Sequence, residues 1–296
     1  MQRLLELSGP NDKERAPLLR WASTFATIRG NYDDAYRLTR ATGEAYERSG
    51  DQGGVAESLH NLGVIEHQIG NEAGAKRHYN EALLAFRIAG HARGELTSLL
   101  NLTLLALKNN DFAEAQELLA TAAPLAERLG DAGTQSYHIG LRGTLAFRRG
   151  EYDEAVRLYA EALAIKRGLG DRFDTAELLD RMAKATLKLG DVHGARTMAA
   201  ESLSIALELD SHVLVIRAFE TFAELALTED NAREARACFE LARGLREEHA
   251  YRHSVRDLDA LDAEIALRPG GEFSPGGSHE RAGWREKAAT LALLQP

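Results

Sequence analysis

The sequence is poor in residues that interrupt helices and in residues that cross-link a chain. Its 296 residues include six prolines, 6% aromatic residues and one cysteine, Cys238. One cysteine excludes an internal disulfide. With so little proline, a chain rich in Ala, Leu, Glu and Arg can form helix along most of its length. These scarcities predict an all-α protein.

Positive charge and long apolar runs are also scarce. Lys and Arg number 36 against 45 Asp and Glu, and the net charge is -9. A protein that binds the phosphate backbone needs clustered Lys and Arg, so we expect no nucleic-acid binding by this segment. No apolar run approaches the roughly 18 residues that a membrane helix requires. Without a charged and then apolar stretch at the N-terminus, the sequence predicts a cytoplasmic location and no membrane partner.

Short segments that contain Gly, Asn or Asp recur every 40 residues along the chain. A second set of such helix-breaking segments, called breakers here together with the first, lies midway between them. Glycine tolerates the left-handed backbone that ends a helix, and Asp or Asn accepts hydrogen bonds from the first N–H groups of the next helix. The breakers therefore predict a new helix at every half-period. The first set is GNYDDA (from Gly30), GNEAGA (Gly70), NDFAEA (Asn110), GEYDEA (Gly150), GDVHGA (Gly190) and DNAREA (Asp230).

Between the breakers the apolar residues follow a helical spacing, as at Leu59, Leu62 and Gly63. Each full period thus forms an antiparallel helix pair. One pair cannot bury all of its apolar surface, so consecutive pairs must stack into a solenoid. Residues at equivalent positions of successive repeats form a column, and two columns indicate packing rather than chemistry. Tyr159 recurs as Tyr79 and Phe239. A small residue recurs as Ala35, Ala75, Ala115, Ala155, Ala195 and Ala235.

These motifs resemble a known family. NLGVIEHQIG (Asn61 to Gly70), followed by the spacing A...Y..AL..F from Ala75 to Phe86, is similar to the tetratricopeptide repeat in a 40-residue form, and GEYDEAVRLYAEALAIKRGLGD matches it too. The resemblance implies a right-handed αα-superhelix of about six helix pairs plus a C-terminal capping helix. It also implies protein or peptide binding rather than an enzyme.

The chain divides at changes of composition. Residues 1–10 are either a partial helix of a preceding repeat or an N-terminal cap, residues 11–250 are six helix pairs, and residues 251–268 are a capping helix. Residues 269–283 have the Pro, Gly and Ser content of a flexible linker, and residues 284–296 form a short helix or a tail.

The order of repeats, RDLDALDAEIAL, linker and EKAATLAL is similar to the C-terminal region of actinobacterial LuxR-type or SARP-like signal-transduction ATPase regulators. This likeness implies the sensor or interaction arm of a larger bacterial regulator. A free-standing peptide receptor or scaffold is the alternative. An enzyme whose catalytic domain is missing from this chain is a more remote one.

Motifs for catalysis, cofactors and metals are lacking. GNEAGAKRH at Gly70 misses the spacing and the hydroxyl of a phosphate-binding loop, and no G-x-S-x-G elbow occurs. His249 and His253 have an i, i+4 spacing but fall on a breaker, which favours a solvated loop over a metal site. His60 and His67, two turns apart, are too distant to share a metal. His78 and Cys238 belong to a column that is apolar in other repeats, so we expect both in the core.

A partner is expected on the first helices, because the first helix of each stacked pair lines the concave surface. The position two before Gly63 reads Trp21, Asn61, Asn101, Leu141, Arg181 and Thr221. In tetratricopeptide proteins an Asn here holds the backbone of an extended peptide, since a carboxamide both donates and accepts. Asn61 and Asn101 match that motif, and the other four positions do not.

The candidate binding residues follow from this face. They are Glu57, His60, Asn61, Val64, His67, Gln68, Thr97, Asn101, Leu104, Lys108, Tyr137, Thr144, Arg148, Arg181, Lys184 and Lys188. Cations gather in the later repeats, so we expect a protein or peptide partner that is acidic or ends in a C-terminal carboxylate, which Arg can grip through two hydrogen bonds. Self-association is a further expectation, because the end of the array at residues 1–9 leaves apolar surface that another chain can cover.

Overall fold

The computed structural model describes residues 12–248, 258–269 and 284–292, which form fourteen α-helices and no strand. The predicted all-α class is confirmed. None of these helices is both long and apolar enough to cross a membrane. The helices are α1 (Asp12–Ile28), α2 (Tyr32–Ser49), α3 (Gln52–Gln68), α4 (Glu72–Ile88), α5 (Ala92–Lys108), α6 (Phe112–Leu129), α7 (Ala132–Arg148), α8 (Tyr152–Gly168), α9 (Arg172–Lys188), α10 (Val192–Glu208), α11 (His212–Thr228), α12 (Ala232–Glu248), α13 (Leu258–Ala266) and α14 (Trp284–Ala292).

A left-handed residue stands after each helix from α1 to α11. Eight of these residues are glycines, and Asn110, Asp210 and Asp230 adopt the same positive φ. Asn and Asp are the side chains that tolerate this conformation best. The helices end as the sequence predicts, with a hydrogen bond back across the last turn: after α3, Asn71 N donates to Glu66 O at 2.9 Å. The stops recur at a constant interval, from Gly30 to Asp230.

At nine of the eleven stops, the side chain of the next residue caps the following helix. Asp51 accepts a hydrogen bond from Gly54 N at 2.9 Å, and Asp111 accepts one from Glu114 N at 3.0 Å. Two helix starts differ, because Ser211 before α11 and Glu151 before α8 make no side-chain cap bond. Glutamate is a poorer cap than Asp or Asn. Its neighbour Glu154 instead binds Arg157 at 2.6 Å.

The chain forms two compact units, residues 1–134 and 135–296. In the first, helices α1 to α6 pack in sequence, and α3 also contacts α5. In the second, α8 to α12 pack in sequence and α9 also contacts α11. Ser136 Oγ of α7 donates to Ala162 O of α8 at 3.0 Å. Within each unit, therefore, helix pairs stack in chain order, as in an αα-solenoid.

Small residues let these helices approach closely. The alanine column predicted from the sequence is 0% exposed at all six positions: Ala35, Ala75, Ala115, Ala155, Ala195 and Ala235. Glycine has the same role opposite the buried tyrosines. A Cβ added to Gly63 would lie 2.6 Å from Tyr79 Cδ1, and one added to Gly143 would lie 2.8 Å from Tyr159 Cδ1. The tyrosines are therefore wedges packed directly on backbone.

His78 and Cys238 are both buried, as their column predicted. Burial raises the pKa of the Cys238 thiol to about 12. A thiol that stays protonated is a poor nucleophile and a poor metal ligand. Both residues therefore belong to the packing of their helices.

The last two described helices pack on the second unit. α13 contacts α12 and buries Leu261 and Ile265. α14 packs against α10 and buries Ala288 and Leu291, and Arg285 donates to Asp210 at 2.7 Å. Residues 1–10, residues 251–257 of the predicted capping helix, nearly all of the predicted linker and residues 293–296 lie outside the described residues.

Gly63→Ala should destabilise the protein because the new methyl group meets a ring that has no room to move. Tyr79 is buried, and forced overpacking of this kind costs about 1–3 kcal/mol. Chemical denaturation would measure the loss.

Gly168→Ala is the matched control, since a Cβ there meets nothing within 4 Å. Adding Tyr79→Leu to Gly63→Ala should recover part of the stability, because the next repeat has Leu119 at that position. A Gly63→Ala protein as stable as the parent would contradict the wedge.

Candidate partner-binding site

The first helices of the unit formed by residues 1–134 border an open cavity of about 460 Å³. We call this cavity the unit 1 groove. Four predicted residues line it: Glu57, His60, Asn61 and Thr97. So do seven residues that the candidate set did not include: Arg20, Trp21, Thr24, Phe86, His91, Arg93 and Gly94.

Trp21 is the most accessible aromatic wall of the groove, with 59% of its surface exposed. It occupies on α1 the position that Asn61 occupies on α3. An exposed indole offers a large rigid contact area together with an N–H donor, and Trp is enriched among residues that dominate binding energy. The groove therefore combines an aromatic face with an amide at equivalent positions of neighbouring helices.

Ion pairs border the groove. Arg20 Nη1 lies 3.2 Å from Glu57 Oε2, and Arg93 Nη1 lies 2.9 Å from Asp131 Oδ2. Hydrogen bonds from the Thr134 backbone and hydroxyl, and then from Arg93, lower the pKa of Asp131 to about 2. Exposed ion pairs such as these contribute little stability. A ligand carboxylate can therefore compete for the arginines at small cost.

The first helix of each pair is called an A helix here. His60 connects two A helices, α3 and α5. Its Nδ1 lies 3.3 Å from Ser98 Oγ, and Asn101 Nδ2 donates to its Nε2 over 3.3 Å. Since Nε2 accepts, the ring proton must be on Nδ1, where it donates to Ser98. Burial lowers the pKa of His60 to about 4, which keeps the ring neutral at pH 7. The neutral imidazole thus orients the amide of Asn101.

A second cavity of about 180 Å³ lies beside the groove. The predicted residues Asn61 and Val64 line it, and Ser23 Oγ, at 2.5 Å from Thr39 Oγ1, forms part of its polar wall. Asn61 is the predicted residue that lines both cavities. Its amide therefore holds the central position of this face.

Besides Asn101, four predicted residues of this unit line neither cavity. Lys108 binds Glu72 on α4 at 2.7 Å, and this hydrogen bond lowers the pKa of Glu72. Its charge is therefore directed to a second helix, because the last turn of α5 brings the side chain beside the start of α4. His67, Gln68 and Leu104 are half-buried on their helices.

In the second unit three predicted residues meet. Thr144 Oγ1 accepts hydrogen bonds from Tyr159 Oη at 3.2 Å and from Arg181 Nη1 at 3.4 Å. Tyr137 and Arg181 line a small cavity of about 20 Å³. Burial raises the pKa of Tyr137 to about 12, so its hydroxyl stays protonated. This cluster is packed rather than open.

Carboxylates neutralise Arg181 and Lys184, two of the cations that the sequence placed in the later repeats. Arg181 Nη2 lies 2.7 Å from Glu177 Oε1, which also binds Arg217. Lys184 Nζ lies 3.0 Å from Asp180 Oδ2. Each carboxylate lies one helical turn before its cation, a pairing that comparison between repeats cannot reveal. Lys188 is exposed and Arg148 is half-buried.

Glu177 is held strongly in its charged form. Burial alone would raise its pKa, but the guanidinium groups of Arg181 and Arg217 outweigh burial and lower the pKa to about 2. Thr221 Oγ1 donates to Asp180 at 2.5 Å and completes the network.

Sequence reasoning missed residues that the repeat itself pointed to. The column that contains Glu57, Thr97 and Tyr137 continues to Glu177 and Arg217, both of which belong to the ion-pair network. Trp21 was visible as the first member of the Asn61 column, but the candidate set began at the second pair. Following both columns to their ends would have found these residues.

The sequence predicts no metal site for the described helices, and their His, Cys, Asp and Glu side chains are not clustered for one. Among their residues, no group of three or more His, Cys, Asp or Glu side chains is arranged to hold a metal ion. His249 and His253, considered for a metal from their spacing, lie outside the described residues.

Comparison with known proteins agrees with this architecture. The tetratricopeptide repeat family profile matches residues 133–208, about a quarter of the chain. No curated protein sequence matches the chain.

Several solved structures are similar. A Rap protein complexed with competence and sporulation factor has a TM-score of 0.69 at 14% identity, over 96% of this chain and 76% of that one. The apo quorum sensor NprR from B. thuringiensis has a TM-score of 0.66 at 13% identity, over 98% and 79%. A signal transduction ATPase with numerous domains and a tetratricopeptide repeat sensor, from Pyrococcus horikoshii, has 0.62 at 14% identity, over 95% and 42%. At these identities the likeness shows the fold, a stack of helix pairs.

The His60 imidazole should titrate with a midpoint near pH 4 in a two-dimensional NMR titration, well below that of an unperturbed His. Because the unfolded chain takes up this proton first, the free energy of unfolding should fall as pH decreases from about 6.5 to about 4. His60→Gln should remove that part of the slope. A midpoint near 6.5 would contradict the buried, neutral ring.

Glu177→Gln should destabilise the protein by about 3 kcal/mol at pH 7, because Arg181 and Arg217 would lose their shared anion. The native carboxylate stabilises above its unfolded pKa, and this contribution is lost as pH falls towards about 2. The difference between variant and parent should therefore shrink in acid. Denaturant unfolding across pH would test this, with the exposed pair partner Glu154→Gln as a control that changes little. An acid-independent difference would argue against the ion pair.

Proposed function

We propose that this chain is a non-enzymatic tetratricopeptide-type solenoid that binds an extended segment of a protein or peptide in the unit 1 groove. The observation that carries the proposal is the open cavity of about 460 Å³ in which Trp21 and Asn61 stand at equivalent positions of adjacent A helices. One offers apolar area and the other offers hydrogen bonds, the two kinds of contact that an extended peptide needs.

Asn61 fits the task of holding a peptide backbone in the groove because it lines both cavities, whereas Asn101 lines neither and contacts His60 instead. A carboxamide donates through nitrogen and accepts through oxygen, as a peptide unit does. The Asn101 nitrogen is already engaged by His60 at 3.3 Å. That bond fixes the orientation of the His60 ring, which lines the groove, and so reduces the entropy lost on binding.

The proposed partner carries at least one acidic group. The cations that line the groove are Arg20 and Arg93. In the sequence, Arg20 precedes Trp21 and Arg93 follows Asn61. Their existing partners, Glu57 and Asp131, hold them at the rim without burying them. An acidic side chain or a C-terminal carboxylate can replace either partner through charge-assisted hydrogen bonds.

We propose further that the chain is the sensor arm of a larger bacterial regulator acting in the cytoplasm. Its similarity to a signal transduction ATPase with a tetratricopeptide repeat sensor covers 42% of that protein, as expected of one arm. A free-standing peptide receptor is the second candidate, since the chain covers 76% of a Rap protein complexed with competence and sporulation factor. The coding sequence upstream of Met1 distinguishes the two.

The binding proposal can be tested with displayed random peptides selected on the immobilised protein, followed by fluorescence anisotropy on the enriched sequences. Asn61→Ala should weaken binding about tenfold or more, because it removes both a donor and an acceptor from the groove. The far-ultraviolet circular dichroism should not change.

Asn80→Ala is the matched control, an exposed Asn on the second helix α4 that lies outside the groove. Arg181→Ala with Lys184→Ala tests whether the later repeats select acidic peptides. Enriched peptides that bind the Asn61→Ala protein as tightly as the parent would exclude the groove.

A further inference from the structure

Helix α1 has an exposed apolar stripe in addition to its buried, core-facing side. Its core-facing residues include Ala16, Leu19 and Ala22, which are at most 4% exposed. The outer stripe consists of four large residues: Leu18 at 36%, Trp21 at 59%, Phe25 at 53% and Ile28 at 74% exposure. A contiguous apolar patch of this kind on a soluble protein marks an interaction surface.

The stripe is more apolar than the repeat requires. In α3 the four equivalent positions are Ser58, Asn61, Ile65 and Gln68. In α5 they are Ser98, Asn101, Leu105 and Lys108. Only the third position is apolar in all three helices. Later first helices have Leu178 at the first position and Leu141 at the second, whereas Ile28 has no apolar counterpart in any repeat. The first and third positions are buried in α3, at 4% for Ser58 and 2% for Ile65, whereas Leu18 and Phe25 are exposed in α1.

The spacing of the stripe is that of a coiled-coil seam. Leu18, Trp21, Phe25 and Ile28 are separated by three, four and three residues, which are successive a and d positions of a heptad. This order reads the same in both directions about residue 23. Two copies of α1 that cross antiparallel on a two-fold axis therefore oppose Leu18 to Ile28 and Trp21 to Phe25.

Charge at the ends of α1 favours the same orientation. Glu14 is exposed near the start of the stripe, and Arg29 is exposed at its end. Antiparallel pairing brings Glu14 of one copy towards Arg29 of the other at both ends of the seam. Parallel pairing would instead bring like charges together. The surface is therefore complementary to itself in one orientation.

The area of the stripe limits the strength of the contact. An aromatic side chain offers roughly 150–250 Å², so the exposed fractions of the four residues amount to about 400 Å² for each copy. A stable interface buries roughly 800 Å² per partner. We therefore expect weak association, with a dissociation constant on the order of 100 μM.

We infer that the outer face of α1 is a self-association surface on which a second copy of this chain packs antiparallel along Leu18, Trp21, Phe25 and Ile28. The inference does not depend on peptide binding, since Phe25 lines neither cavity. Trp21 lines the unit 1 groove and Ile28 lines the second cavity, so the dimer and a ligand on this face compete for both residues.

Sedimentation equilibrium of the full chain over a range of concentrations tests the association. Phe25→Asp should raise the dissociation constant at least about tenfold. Leu84→Asp is the matched control, because Leu84 is 61% exposed on α4 and has no part in the stripe. Glu14→Arg alone should also weaken association, and adding Arg29→Glu should restore it. A chain that stays monomeric at millimolar concentration would overturn the inference.

Disulfide trapping tests the orientation. Cys238, the native cysteine, is buried and will not compete. Under mild oxidation a mixture of Leu18→Cys and Ile28→Cys proteins should form a covalent dimer, whereas neither protein should do so alone. Homodimers of the single variants would indicate parallel pairing, and no cross-link in the mixture would indicate that the seam does not form; either result overturns the proposal.

Discussion

The structure depends on a left-handed residue after every helix from α1 to α11. Because this stop recurs at a constant interval, the first twelve helices are each 17 or 18 residues long. Equal lengths keep equivalent residues in register from one pair to the next. Within each unit the same contact can therefore be repeated, and stability grows with each interface between neighbouring pairs.

Because equivalent residues stay in register, some columns are buried between helices in every repeat, whereas others remain accessible at the surface. The alanine column and the glycines opposite Tyr79 and Tyr159 bring helices close together and have no accessible surface to offer. The Asn61 column differs between the units. In the first, Trp21 and Asn61 border an open cavity, whereas in the second Arg181 is bound to Glu177 and Thr144. The open cavity therefore lies in the early repeats.

Charge contributes to this difference between repeats. A cation four residues after a carboxylate on the same helix face is neutralised within the protein, as Lys184 is by Asp180. Arg20 and Arg93 instead reach carboxylates in the following repeat and stay at the surface. Sequence counting treats all of these cations alike. Their usefulness to a ligand depends on where their carboxylates lie.

The sequence by itself determined the helices, their boundaries near each stop, their pairing and the buried columns, because these follow from local backbone preference and from apolar periodicity. It also identified Asn61, which lines both cavities. It did not determine that Lys108 turns to Glu72, that His60 bridges Ser98 and Asn101, or that Trp21 forms a wall of the groove. Those contacts join residues of different helices, and only the stacking of one pair on the next sets their distances.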